Sequence, residues 1–194
     1  MSCPDSLAAA LLGRAGNGTI RSMEKTFSQL AAEMEKRNSD IKSLTNALNA
    51  LAGRAEIVAK QQKRGITVRD EQFETDFRAA GVKTRETAAL VEDFWGAASA
   101  AARRGCGAGR DCDELGAREL ASALRQSGHA VSGLASAFQY LQNRSAGITM
   151  RLNWLEMETG TETLSRLCPK MAVAARELSK LSDRASLSER TRLT

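Results

Sequence analysis

The chain has 194 residues, with 28 basic and 23 acidic side chains, one histidine and a formal net charge of +5. That length suits one ordinary domain, and the interspersed charges describe a solvated helix surface rather than the segregated basic patch of a nucleic-acid binder. Aromatic residues make up 4% of the chain and its two prolines are Pro4 and Pro169, so residues 5–168 contain no helix breaker of that kind.

The sequence predicts an all-α fold: an elongated antiparallel bundle of three to four long, coiled-coil-like helices forming a single domain over 1–194. Residues 1–16 read as a lead-in. Helix A is predicted over 17–64, with Thr19 as its N-cap. Its stripe is Ile20, Met23, Phe27, Leu30, Met34, then Arg37 as an exception, then Ile41, Leu44, Leu48, Leu51, Ala55 and Val58, at alternating three- and four-residue spacing. Gly65 ends it. Helix B is predicted over 70–104, capped by Asp70 and carrying Phe73, Phe77, Ala80, Thr84, Thr87, Val91, Phe94, Ala98 and Ala101, with Leu90 and Trp95 widening the apolar face.

Helix C is predicted over 113–158. Its stripe from Leu120 through Leu134, Leu141 and Ser145 keeps phase across Gly147 to Ile148, Leu152 and Leu155. The competing reading turns the chain near Asn143–Gly147 and lengthens the last helix. Gly160, in TGTET, is read as the break. Helix D is then predicted over 162–185, on Leu164, Leu167, Met171, Ala174, Leu178, Leu181 and Ala185, with 186–194 as a flexible tail.

Four cysteines permit two disulfides. Cys106 and Cys112 sit in RRGCGAGRDCDE, where Gly105, Gly107 and Gly109 free the loop to bring the two sulfurs together. In the chain-entropy model such a short closure stabilises by about 2 kcal/mol. Cys3 and Cys168 would pair by elimination. The alternative is four free thiols in a cytosolic protein. Two glycosylation triplets, at Asn17 and Asn143, agree with export. No stretch of eighteen apolar residues is present, and the opening MSCPDSLAAALLGRAG lacks a basic n-region, so export implies a signal already removed.

No catalytic, cofactor-binding or metal-binding residues emerge. His129 lacks a nucleophile partner in the pattern, and no phosphate-loop, dinucleotide or zinc-protease motif occurs. The expectation is a protein that is not an enzyme and uses no cofactor. Lys60, Lys63, Arg64 and Arg69 gather at the A–B turn. They are the candidate partner-binding residues for a protein or glycan ligand at one end of the rod; the plainer reading is cations placed at a helix C-terminus.

A long, alanine-rich helical bundle with two inferred disulfides and glycosylation triplets resembles the small helical surface proteins of trypanosomes, both coat proteins and receptors. The resemblance covers about residues 17–185 and is architectural. It implies an extracellular or cell-surface, secreted, glycosylated protein with a coat or receptor role, membrane-anchored by a lipid outside this sequence, and it carries over no functional residues. Competing readings are a bacterial secretion-system or pilus-tip component, placed in the periplasm, and an intracellular coiled-coil adaptor. The pattern does not fix the oligomeric state.

Overall fold

The computed structural model describes the backbone of residues 25–105 and 114–192, and the side chains of 25–100 and 115–180. Four helices occupy nearly all of it: α1 (Phe27–Lys63), α2 (Glu71–Gly105), α3 (Glu114–Ser145) and α4 (Leu155–Arg192). They pack on one another as an all-α bundle, and no strand occurs among the described residues.

Each boundary has a local cause. Thr26 Oγ1 accepts the Gln29 amide at 3.2 Å while Gln29 Oε1 accepts the Thr26 amide at 3.0 Å. This reciprocal capping box starts α1, seven residues after Thr19, whose predicted cap lies outside the described residues. At the other end Ile66 N donates to Gln61 O and Gly65 N to Gln62 O. That pairing needs a left-handed residue, and Gly65 supplies it with φ of 77°. Asp70 Oδ1 accepts the Phe73 amide at 2.9 Å and opens α2.

The expected helix C over 113–158 is not formed. Helix α3 ends at Ser145, residues 146–154 reverse the chain, and α4 begins at Leu155 rather than 162. Ile148 N closes a turn onto Ser145 O, and Asn153 Oδ1 takes the Leu155 amide at 3.2 Å. A glycine followed by two β-branched residues and then an Asx cap outweighs the apolar spacing of Ile148, Leu152 and Leu155. Leu155 is 67% exposed, so it takes no part in the stripe that its spacing suggested. Pro169 consequently lies inside α4 rather than near its start.

The chain divides into two compact units, each built from parts of all four helices. One comprises the chain up to Asn38, Val91–Gly128 and the chain from Arg166 onward. Phe27, Leu30, Met34, Val91, Phe94, Trp95, Leu120, Leu124 and Leu178 are among the residues of its buried core. Asn38, not Arg37, fills the polar layer of the α1 stripe: it is buried and its Nδ2 donates to Ala123 O at 2.9 Å. The other unit comprises Ser39–Leu90 and His129–Ser165. Its core holds Ile41, Leu44, Leu48, Phe73, Phe77, Leu134, Leu141, Met157 and Leu164. Two buried hydroxyls are met by their own helices, Thr84 donating to Ala80 O and Thr161 to Met157 O.

In this second unit α2 and α4 approach closely. A Cβ on Gly160 would lie 2.8 Å from the Thr84 carbonyl carbon and 2.9 Å from its oxygen. Gly160, expected to break a helix, is instead a helical residue whose missing side chain admits the neighbouring backbone. Gly53, in α1, has nothing within 4 Å of its would-be Cβ. Gly160→Ala should therefore destabilise by about 1–3 kcal/mol through overpacking, whereas Gly53→Ala should stabilise by about 0.5–1 kcal/mol through helix propensity. Urea denaturation of the two variants beside the wild type measures both, and equal shifts of the same sign would contradict the close crossing.

Candidate functional site: the paired turns

Two chain reversals share one five-residue pattern. Gly65-Ile66-Thr67-Val68-Arg69 leaves α1, and Gly147-Ile148-Thr149-Met150-Arg151 leaves α3. Each is followed by an Asx residue, Asp70 or Asn153, that caps the next helix. Both turns belong to the second unit. One side chain ties them together: Gln62 Nε2 donates to Val68 O at 3.4 Å, and Gln62 Oε1 accepts the Thr149 amide at 3.0 Å. A would-be Cβ on Gly147 would stand 3.5 Å from Ala59 Cβ, so the second turn rests directly on α1.

Charged groups anchor the turns from the sides. The Arg54 guanidinium places one nitrogen 2.7 and 2.8 Å from the two Asp70 oxygens and another 3.1 Å from Asp76. Asp70 thus caps α2 and binds α1 at once. The Phe73 amide holds the Asp70 carboxyl below its ordinary range; burial opposes it, and Arg54 adds to the lowering. Glu56 is held low by the Lys60 ammonium at 2.8 Å and by Arg144 at 3.3 Å, and Arg144 also stands 5.0 Å from the Tyr140 ring centroid. Inside, Phe77, Trp154 and Phe138 pack edge to face, with centroids 4.7 and 5.9 Å apart.

The four basic residues singled out from the sequence have different roles. Lys60 is paired with Glu56, and Arg69 lies 4.0 Å from Glu74. Lys63 and Arg64 are exposed and have no acidic partner among the described residues. A third such cation, Arg151, joins the site from the second turn. Continuing helix C through this segment hid it, although the recurrence of Gly-Ile-Thr-x-Arg in the sequence was the signal that would have found it. Ile66, two residues after Arg64, is 52% exposed.

The other candidates lie elsewhere. Cys3, Cys106, Cys112 and Asn17 are outside the described residues. Cys168 is half-buried beside Gly128 in the first unit, and its expected partner Cys3 lies outside the described residues. Asn143 is exposed near the end of α3, and the Ser145 of its triplet is buried. His129 is exposed and lines a shallow groove with Lys42, Thr45 and Asn46. No helix among the described residues is long and apolar enough to cross a membrane. No protein-family model, curated protein or solved structure matches the chain.

Because the folded carboxyl of Asp70 is more acidic than in the unfolded chain, its contribution is complete above the ordinary aspartate range. It is lost as the pH falls through that range and below it. Asp70→Ala should lower stability by about 1 kcal/mol at neutral pH, the usual cost of an N-cap. The difference from wild type should shrink on acidification, and thermal melts at neutral and acidic pH measure it. A difference that persists unchanged in acid would contradict the assigned role.

Proposed function

We propose that this chain is a non-enzymatic helical-bundle protein, exported or displayed at a cell surface, that works as a coat component or binding module. Its contact face is the pair of turns in the second unit, and its partner is an anionic protein or glycan. The observation that carries this reading is that Lys63 and Arg64, beside exposed Ile66 in the first turn, and Arg151 in the second turn that Gln62 ties to it, are exposed and without acidic partners among the described residues. Cations that neutralise nothing within their own fold remain available to a partner, and an apolar group among them gives contact area as well as charge. Loops can carry such a face without disturbing the stripes that hold the helices together. Pairing of Cys106 with Cys112 and of Cys3 with Cys168, glycans at Asn17 and Asn143, and a lipid anchor outside this sequence belong to the same reading.

Two experiments test it. Biotinylation of intact source cells with an impermeant reagent should label the protein, and labelling only after lysis would contradict display. For the contact face, retention on immobilised heparin serves as the anionic probe. Lys63→Glu combined with Arg64→Glu should leave the fold intact, since both side chains are exposed. It should release the protein at clearly lower salt than the control, Lys42→Glu with Lys83→Glu, which changes net charge equally at exposed positions elsewhere. The gap should be widest at low ionic strength, where surface charge is least screened. Equal elution of the two double variants would remove the paired turns as the contact face.

A further inference from the structure

Beside the turns, within the second unit, α2 and the α3–α4 connection border a cavity of about 240 Å³. Phe77, Val82 and Leu152 form its apolar wall. The Phe77 ring is braced edge-on by Trp154 at 4.7 Å, so this wall is preformed. The charged rim is unevenly satisfied. Glu74 and Glu156 are met by Arg69 at 4.0 Å and Arg85 at 3.4 Å. Arg78 and Arg151, which line the same cavity, are exposed and have no acidic partner among the described residues. Each carboxylate has a cation within 4.0 Å, whereas neither guanidinium has a carboxylate there among the described residues.

Gly81 adds an independent observation. It lies in the interior of α2 and lines the cavity. Glycine there is unfavourable for the helix relative to alanine. Packing does not require it: a Cβ would meet Glu156 Cβ at 3.6 Å and Met157 N at 3.8 Å, ordinary contact distances. This is unlike Gly160, where a Cβ would fall within 3 Å of Thr84. An alanine at 81 would improve the helix and take up space in the cavity. A locally unfavourable residue with no packing reason is the kind of conflict expected where a site is kept open.

We propose that this cavity binds a small organic carboxylate with a planar apolar body. The ring lies against Phe77, Val82 and Leu152, and the carboxylate is held between Arg78 and Arg151. Guanidinium groups match a carboxylate in both charge and planar hydrogen-bond geometry. The volume is below that of pockets for drug-sized ligands, which limits the body to about one ring. This site shares Arg151 with the proposed contact face but not Lys63 or Arg64, which do not line it, so the Lys63 and Arg64 variants test the face and the Arg78 variant tests the cavity.

The test is titration of the full chain with phenylacetate, followed through its amide and indole nitrogen–proton resonances. Gly81, Asn153 and the Trp154 indole should shift together, with a Kd roughly in the millimolar range expected for so small a ligand. Acetate, which lacks the ring, and phenethylammonium, which reverses the charge, should shift them far less. Arg78→Gln with Arg151→Gln should weaken phenylacetate about tenfold, the equivalent of one or two charge-assisted hydrogen bonds, and leave the melting temperature unchanged. Gly81→Ala should raise the melting temperature and weaken binding. No concerted shift at tens of millimolar phenylacetate would overturn the proposal, as would an equal response to phenethylammonium or undiminished binding in either variant.

Discussion

Gly160 lies against the α2 backbone so closely that no side chain fits between them, and much of the second unit follows from that contact. With α4 pressed onto Thr84, the preceding turn of α4 brings Glu156 and Met157 against Gly81. Just before that turn, Trp154 meets Phe77 edge-on and braces Phe138 from its other side. The start of α4 is thereby fixed against α2, and with it the direction in which residues 146–153 must run. Hydrophobic burial drives the association, but Leu and Ala stripes tolerate several crossings. The glycine, the threonine backbone and the aromatic cluster select one of them.

The paired turns rest on that placement. Gln62 can reach both because each turn leaves its helix through the same Gly-Ile-Thr pattern and the second turn lies against Ala59. Arg54 then joins the start of α2 to α1 through Asp70. Of the electrostatic contacts, this one combines an ion pair with a helix cap, so its geometry is held by the backbone as well as by charge. The exposed pairs, such as Arg166 with Glu92 in the first unit, add little. What the turns leave on the surface is an uneven charge distribution: Asp70, Asp76, Glu74 and Glu156 face cations of the fold, whereas Lys63, Arg64, Arg78 and Arg151 have no acidic partner among the described residues.

Much of the fold was legible in the sequence, because helix-forming stripes are a direct record of what must be buried. Phe73, Phe77, Ala80, Thr84, Thr87, Val91, Phe94 and Ala98 were read as one stripe and are all buried. Reading glycines by position alone failed. Apolar spacing carries a helix through Gly147 and composition stops one at Gly160, and the structure reverses the two, because a glycine's role depends on what lies opposite it in space. Arg37 was marked as the exception in α1 when the adjacent Asn38 fills the layer. Single-residue phase is ambiguous where a polar side chain enters the stripe. The candidate site was half legible: Lys63 and Arg64 stood out as charge, whereas Arg78, Arg151 and Gln62 owe their importance to tertiary placement.

The cross-tie between the two turns is the feature on which this account depends most. Amide hydrogen exchange of wild type beside Gln62→Ala tests it most directly. In the wild type the Thr149 amide should be protected although it lies outside any helix, because Gln62 Oε1 accepts it at 3.0 Å. In the variant it should exchange about tenfold faster, the scale of one net hydrogen bond, while the Val58 amide within α1 keeps its protection. A Thr149 amide that exchanges as fast in the wild type as in the variant would mean that the turns are not joined, and the contact face built on them would fall with it.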